Sequence, residues 1–188
     1  MNIITKTGFA DQTINKSRFI AVAQYCEDER AVMMLLRQLA SEHSHANHLV
    51  FAYRLQNPEG GVSIRFHDAG EPSGTAGKPV LQYLEGRDLV NACVAVIRYF
   101  GGVKLGTGGL ARAYGSTAKL ALDAASIAPY VAMQQIRLTL DYPRLESFTR
   151  DLAKAGGQLL DKQFGEKVTV VASLPAENAP ALVARYSD

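Results

Sequence analysis

Two glycine-bearing segments hold the residues best suited to chemistry. The first is Asp68-Ala-Gly-Glu-Pro-Ser-Gly-Thr-Ala-Gly-Lys-Pro79, and the second is Gly101-Gly-Val-Lys-Leu-Gly-Thr-Gly-Gly109. Glycine permits positive φ and lets a backbone approach a ligand closely. Each segment runs into a stretch of helical periodicity, and the first N–H groups of a helix are free to bind an anion. The phosphate-binding set is Ser73, Gly74, Thr75, Gly77 and Lys78 in the first segment. In the second it is Gly101, Gly102, Lys104, Gly106, Thr107, Gly108 and Gly109, with Arg98 at the end of the strand before it and Arg112 one turn into the next helix. The same glycines also suit two tight strand-to-helix turns that hold no ligand, and glycine content does not separate the two readings.

Arg98 follows Val94 and Val96 and precedes Phe100, toward the end of an apolar run, and a charge there requires a partner. Asp68 and Glu71 are the candidates, because a strand ending at His67 delivers them to the loop layer. They would pin the loop as an ion pair, or act as catalytic or ligand-binding carboxylates. His45 and His48 are three residues apart but straddle a helix end and a strand start, so they cannot present two ligands from one helix face. They are expected to cap the helix or rim the cleft, and no metal site is expected. Cys26 and Cys93 have no metal-type spacing, and Cys93 lies in the apolar run NACVAVI, so both read as structural.

Familiar catalytic motifs fail on inspection. A phosphate-binding P-loop needs Ser or Thr after Gly77-Lys78, where Pro79 stands, and a glycine at position 72, where Pro72 stands. Gly106-Thr-Gly-Gly-Leu-Ala111 matches a dinucleotide-binding pattern, but it does not follow its strand directly, and no acid-tipped second strand comes after it. No nucleophile elbow or Cys–His arrangement is present, so nucleophilic catalysis has no support.

The elements that must position these residues follow from periodicity. Phe19 to Tyr25 reads as a strand. Val32, Leu35, Leu36 and Leu39 mark one face of a helix whose first turn holds Glu27, Asp28 and Glu29. Residues 49–55 and 62–66 alternate around the turn cluster QNPEGG and read as a hairpin with a loop of roughly five residues. A short helix covers 79–86. Residues 90–100 are apolar on both faces, as in a central strand of a covered sheet. The helix after the second glycine segment carries Leu110, Ala113, Tyr114, Ala118, Ala121 and Leu122 on one side, and Pro129 is expected to close it. The pattern restarts after a boundary near residue 130. It reads as a strand to Tyr142, a helix opened by Pro143, two strands (157–164 and 167–174) and a helix with Pro180 in its first turn. That βαββα order is one strand short of a split βαβ unit, so the chain end reads as truncated or unusual.

Composition narrows the class. The chain has 188 residues with 20 basic and 18 acidic side chains, which argues against a strongly basic nucleic-acid binder and leaves any such binding to a local patch. Hydrophobic residues make up 47%, too many for disorder. Arg98 interrupts the longest apolar stretch, so no membrane span is expected. Trp is absent, which removes the best stacking residue for bases. The N-terminus has no basic region followed by an apolar one, and the expected location is cytoplasmic.

The first glycine segment, the run from Arg98 to Tyr114 and the segment HLVFAYR (His48 to Arg54) together resemble the YigZ/IMPACT family. The resemblance is strong over residues 8–126 and rests on pattern beyond them. Ala69 departs from it, because the family often has a second acid there. The resemblance implies an α+β protein with two domains. Residues 1–130 would be an IMPACT-type domain like elongation factor G domain IV and the GHMP kinases, with a left-handed βαβ crossover. Residues 131–188 would be a ferredoxin-like domain. It also implies a link to translation, since the eukaryotic IMPACT relatives regulate it, and fold likeness alone does not fix function. The leading expectation is a non-enzymatic translation-linked regulator that binds RNA or a ribosome-associated component through the glycine cleft, with no cofactor. The alternatives are a protein-interaction module in translation or stress control, and an enzyme acting on a small phosphorylated ligand with Asp68 or Glu71 as base.

Overall fold

The computed structural model describes residues 1–187. The chain divides into two compact units, Met1–Tyr130 and Val131 onward, each with its own hydrophobic core. The class is α+β, as expected.

The first unit contains β1 (Asn2–Lys6), β2 (Gly8–Ile14), β3 (Ser17–Tyr25), α1 (Glu29–Glu42), β4 (His48–Gln56), β5 (Val62–His67), α2 (Gly77–Gly86), β6 (Ala92–Tyr99), α3 (Gly106–Ala124) and β7 (Ser126–Pro129). Five strands form one antiparallel sheet in the order β2-β3-β6-β4-β5. β6 is central because alternate side chains enter two cores. Val94 and Val96 pack with α2 and α3, while Cys93, Ala95 and Ile97 pack with α1. Each of its buried Val and Ile side chains contributes about 1.5–3 kcal/mol. β3 and β4 both run antiparallel to β6, so the crossover β3–α1–β4 joins two parallel strands with β6 between them. β5 and β6 are likewise parallel, and both glycine segments therefore leave the sheet at the same end.

Several local details differ from the sequence reading. Asp28 is the N-cap of α1 rather than a first-turn residue, and its carboxylate accepts from the Ala31 N–H at 2.8 Å. α3 starts at Gly106, so Gly106 to Gly109 form its first turn instead of preceding it. Pro129 does not close this helix. α3 ends at Ala124, and Pro129 ends β7, which pairs only with β1 and tolerates a missing N–H. The short N-terminal strands β1 and β2 carry no clear period in the sequence. Ile4 of β1 is nonetheless 2% exposed in the core shared with α3.

The second unit runs β8 (Met133–Leu140), a 3-10 turn at Tyr142–Arg144 that contains Pro143, α4 (Leu145–Lys154), β9 (Gln158–Phe164), β10 (Val168–Pro175) and α5 (Ala179–Tyr186). This is the βαββα order read from the sequence. Its antiparallel sheet has the order β8-β10-β9. Phe148 and Leu152 of α4 and Leu182 and Tyr186 of α5 join the inward side chains of β10 in one core. Pro180 lies in the first turn of α5, where its absent N–H costs no hydrogen bond.

Candidate functional site

The strand ends of the first unit bring Arg98 between Phe19 on β3 and His48 on β4, its register partners. Arg98 is 5% exposed, and its partner is Glu71, not Asp68, so the expected phosphate contact is replaced by an internal carboxylate. Arg98 Nη1 donates to Glu71 Oε1 at 2.6 Å, and Nη2 donates to Ser17 Oγ at 3.2 Å. Tyr114 of α3 donates its hydroxyl to the same Glu71 oxygen at 2.7 Å. The Gly101 N–H reaches Ser17 Oγ at 3.3 Å. The first glycine segment, the end of β6, the β2–β3 turn, the second glycine segment and α3 thus meet at one buried polar hub. The Arg98 guanidinium also lies over the rings of Phe19 and Phe100, at 5.6 and 5.3 Å from their centroids.

Two hub residues were missed from sequence. Ser17 carried no signal. Tyr114 read as an apolar helix position, although a buried phenol hydroxyl needs a partner. Burial, reinforced by the Glu71 carboxylate, pushes the Tyr114 phenol far up, so it stays protonated as the donor.

His48 rims this hub. Its Nδ1 lies 2.8 Å from the Ala69 carbonyl, which only accepts, so Nδ1 carries the hydrogen. Nε2 faces Glu71 Oε1 at 3.4 Å. His45 is exposed in the turn after α1, and the residue that ends α1 is His43, whose Nδ1 meets the Tyr99 hydroxyl at 2.8 Å. No group of three or more His, Cys, Asp or Glu is placed to hold a metal ion among the described residues. Cys26 and Cys93 are buried free thiols.

Asp68 has a different role from Glu71. Its carboxylate accepts from the N–H groups of Gly74 at 2.9 Å, Ala76 at 3.1 Å and Gly77 at 2.8 Å. The anion place at the start of α2 is therefore filled by the chain's own carboxylate. Thr75 turns its hydroxyl to the Pro72 carbonyl, while Ser73 and Lys78 remain exposed. Burial pushes the Asp68 carboxyl up, but the three N–H donors outweigh it and hold it below the ordinary value. The stabilisation is complete above the unfolded carboxyl value of about 3.9 and is lost as pH falls through the lower folded one. Asp68→Ala is expected to cost about 2 kcal/mol at pH 7, measured by urea unfolding. The stability gap between the wild type and Asp68→Asn should close below about pH 3. A gap that is constant with pH would remove this role from Asp68.

The start of α3 is built the other way. Leu105 occupies the N-cap position in an αR conformation, and no side chain caps the helix. Gly106, Thr107 and Gly108 are exposed, as are Gly102, Lys104 and Arg112, while Gly101 and Gly109 are half-buried. The Arg112 guanidinium lies against Gly108, 3.4 Å from where a Cβ would stand. Of the two predicted anion cradles, this one keeps its N–H groups without an internal acceptor.

Comparison with known proteins identifies both units. Residues 15–122 match the Impact N-terminal domain, and residues 138–185 match a domain of unknown function, DUF1949. The chain is 30% identical over 177 residues to the IMPACT family member YigZ of Escherichia coli, covering 94% of this chain and 87% of that protein. It is 33% identical over 165 residues to YvyE of Bacillus subtilis, covering 88% and 75%. A crystal structure described as that of a hypothetical protein superimposes with a TM-score of 0.71 at 28% identity, over 98% of this chain and 89% of that one. The matched domain spans both glycine segments and the Glu71–Arg98–Tyr114 hub that binds them together, and the chain belongs to the IMPACT family.

Proposed function

We propose that this protein is a non-enzymatic, translation-linked regulator of the cytosol that binds RNA or a ribosomal component at the uncapped start of α3. The observation that carries this reading is the contrast between the two helix starts. Asp68 neutralises α2 internally, whereas α3 offers exposed N–H groups with Lys104 and Arg112 beside them. A phosphate is the chemistry that fits such donors. The ionisable groups nearby support binding over catalysis, because Glu71, Arg98 and Tyr114 are spent on one another. Membership of the IMPACT family supports the link to translation. The hub acts at one remove, by holding the second glycine segment through Ser17 and Gly101.

The test is the salt dependence of binding to a single-stranded RNA oligonucleotide. Each phosphate neutralised by a cation contributes about −0.7 to the log–log slope. The triple change Lys78→Ala, Lys104→Ala, Arg112→Ala should flatten that slope by roughly two units. The change Arg30→Ala, Arg37→Ala on α1 should leave it unaltered. One observation favours a protein partner instead. Phe100 and Val103, 46% and 39% exposed, flank the same loop and suit a mixed apolar and charged interface. Absence of RNA binding at low salt, or binding indifferent to the triple change, would overturn the first reading and turn the search to a protein partner.

A further inference from the structure

The α1 face of the five-stranded sheet is only partly covered. Between α1 and the β4–β5 edge lies a cavity of about 380 Å³, whose lining includes Glu29, Met33, Phe51, Tyr53, Arg65 and His67. β5 is an edge strand with five of its six residues exposed, so its outward face would ordinarily be polar. On the α1 face β5 does present polar residues, Arg65 and His67, and the register sets them opposite two aromatic rings of β4, Tyr53 and Phe51. The Phe51 and His67 rings are 14° from parallel with centroids 5.6 Å apart, and those of Phe51 and Tyr53 are 3° from parallel at 6.2 Å. Phe51, half-buried, and His67, exposed, thus present near-parallel rings at the sheet surface, with the Tyr53 ring, 5% exposed, packed behind them. Tyr53 donates its hydroxyl to Glu29 Oε1 at 3.0 Å, which fixes that carboxylate at one side, and the exposed Arg65 supplies donors next to it. Met33, 46% exposed, adds a pliable thioether wall.

We propose that this cavity binds a nucleobase, presented by a free nucleotide or by an unpaired position in RNA. The volume lies within the range of small-molecule sites, and a base with its ribose fits it. A π face stacks on these rings whatever the base. The carboxylate and guanidinium then meet a base edge that both donates and accepts at several fixed positions, which a lipid chain or a Phe side chain lacks and a Tyr side chain offers at a single hydroxyl. The cavity belongs to the α1 core and the hub to the α2–α3 core, on the opposite face of the sheet. The proposal therefore stands or falls apart from the reading of the α3 start.

The test titrates the full chain with AMP, GMP, CMP, UMP and ribose 5-phosphate, followed by amide NMR. The expected result is saturable shifts at residues 29–33, 51–53 and 65–67 with nucleotides and none with ribose 5-phosphate. Phe51→Leu should weaken binding roughly tenfold or more. Arg65→Ala, which changes an exposed side chain and spares the core, should weaken it several-fold. An unstructured RNA hexamer that binds more tightly than the mononucleotides identifies RNA as the source, and equal affinity identifies the free nucleotide. The proposal is overturned if no nucleotide shifts these amides at millimolar concentration, if ribose 5-phosphate shifts them equally, or if both variants bind as the wild type does.

Discussion

Arg98→Met is expected to lower the unfolding free energy of the first unit by about 3–5 kcal/mol, the cost of breaking a buried ion pair by removing one partner. Met keeps the length and suits the apolar strand, so the loss comes from what it leaves behind. Glu71, 9% exposed, would be left buried with the Tyr114 hydroxyl as its remaining donor, and Ser17 would lose the guanidinium. The guanidinium also ties the first glycine segment to the β2–β3 turn, so amide exchange in residues 69–76 should accelerate selectively. The double change Arg98→Met, Glu71→Leu should recover part of the stability, because it removes both buried charges together. A loss below about 1 kcal/mol, or unchanged exchange in the segment, would show that Arg98 does not hold it.

Gly101→Ala should be of similar size, for a different reason. Its Cβ would stand 1.9 Å from the Lys16 carbonyl oxygen and 2.1 Å from the Lys16 carbonyl carbon, both backbone atoms. No rotamer change relieves that overlap. Either the β2–β3 turn or the second glycine segment must move, at a cost of about 3 kcal/mol or more. The movement would also break the contact between the Gly101 N–H and Ser17, so RNA or partner binding at α3 should fall with stability. Gly74→Ala is the matched control. Gly74 has φ +77° with open space around it, so alanine there pays only the left-handed backbone penalty of about 1–2 kcal/mol. Comparing the two by chemical denaturation separates close packing from backbone freedom. Gly101 does not have a positive φ, so a loss no larger than that at Gly74 would mean that the turn shifts to accept the added methyl group.

The segments with a strong apolar period were legible without coordinates. The helical face Val32, Leu35, Leu36 and Leu39, the two-sided strand at 92–99 and the βαββα order after residue 130 all follow from side chains that must leave water at fixed intervals. The need of Arg98 for a carboxylate followed from desolvation of a charge, and it limited the choice to Asp68 or Glu71. Sequence could not choose between them, because the choice depends on how the segment folds back. Asp68 turns onto the Gly74, Ala76 and Gly77 N–H groups, while Glu71 is carried inward to Arg98 and Tyr114. Strands β1 and β7 were equally illegible, since a two-stranded ribbon at the two ends of the first unit has little apolar period and forms by pairing partners 120 to 127 positions apart. The same long-range logic decided the candidate site. Both glycine segments looked alike as open helix starts, and only the folded chain shows that one is neutralised from within by a residue six to nine positions earlier. The other stays open because Leu105 has no side-chain acceptor to offer. Residue type determined which groups were able to bind an anion. Tertiary structure decided which of them the protein had already used.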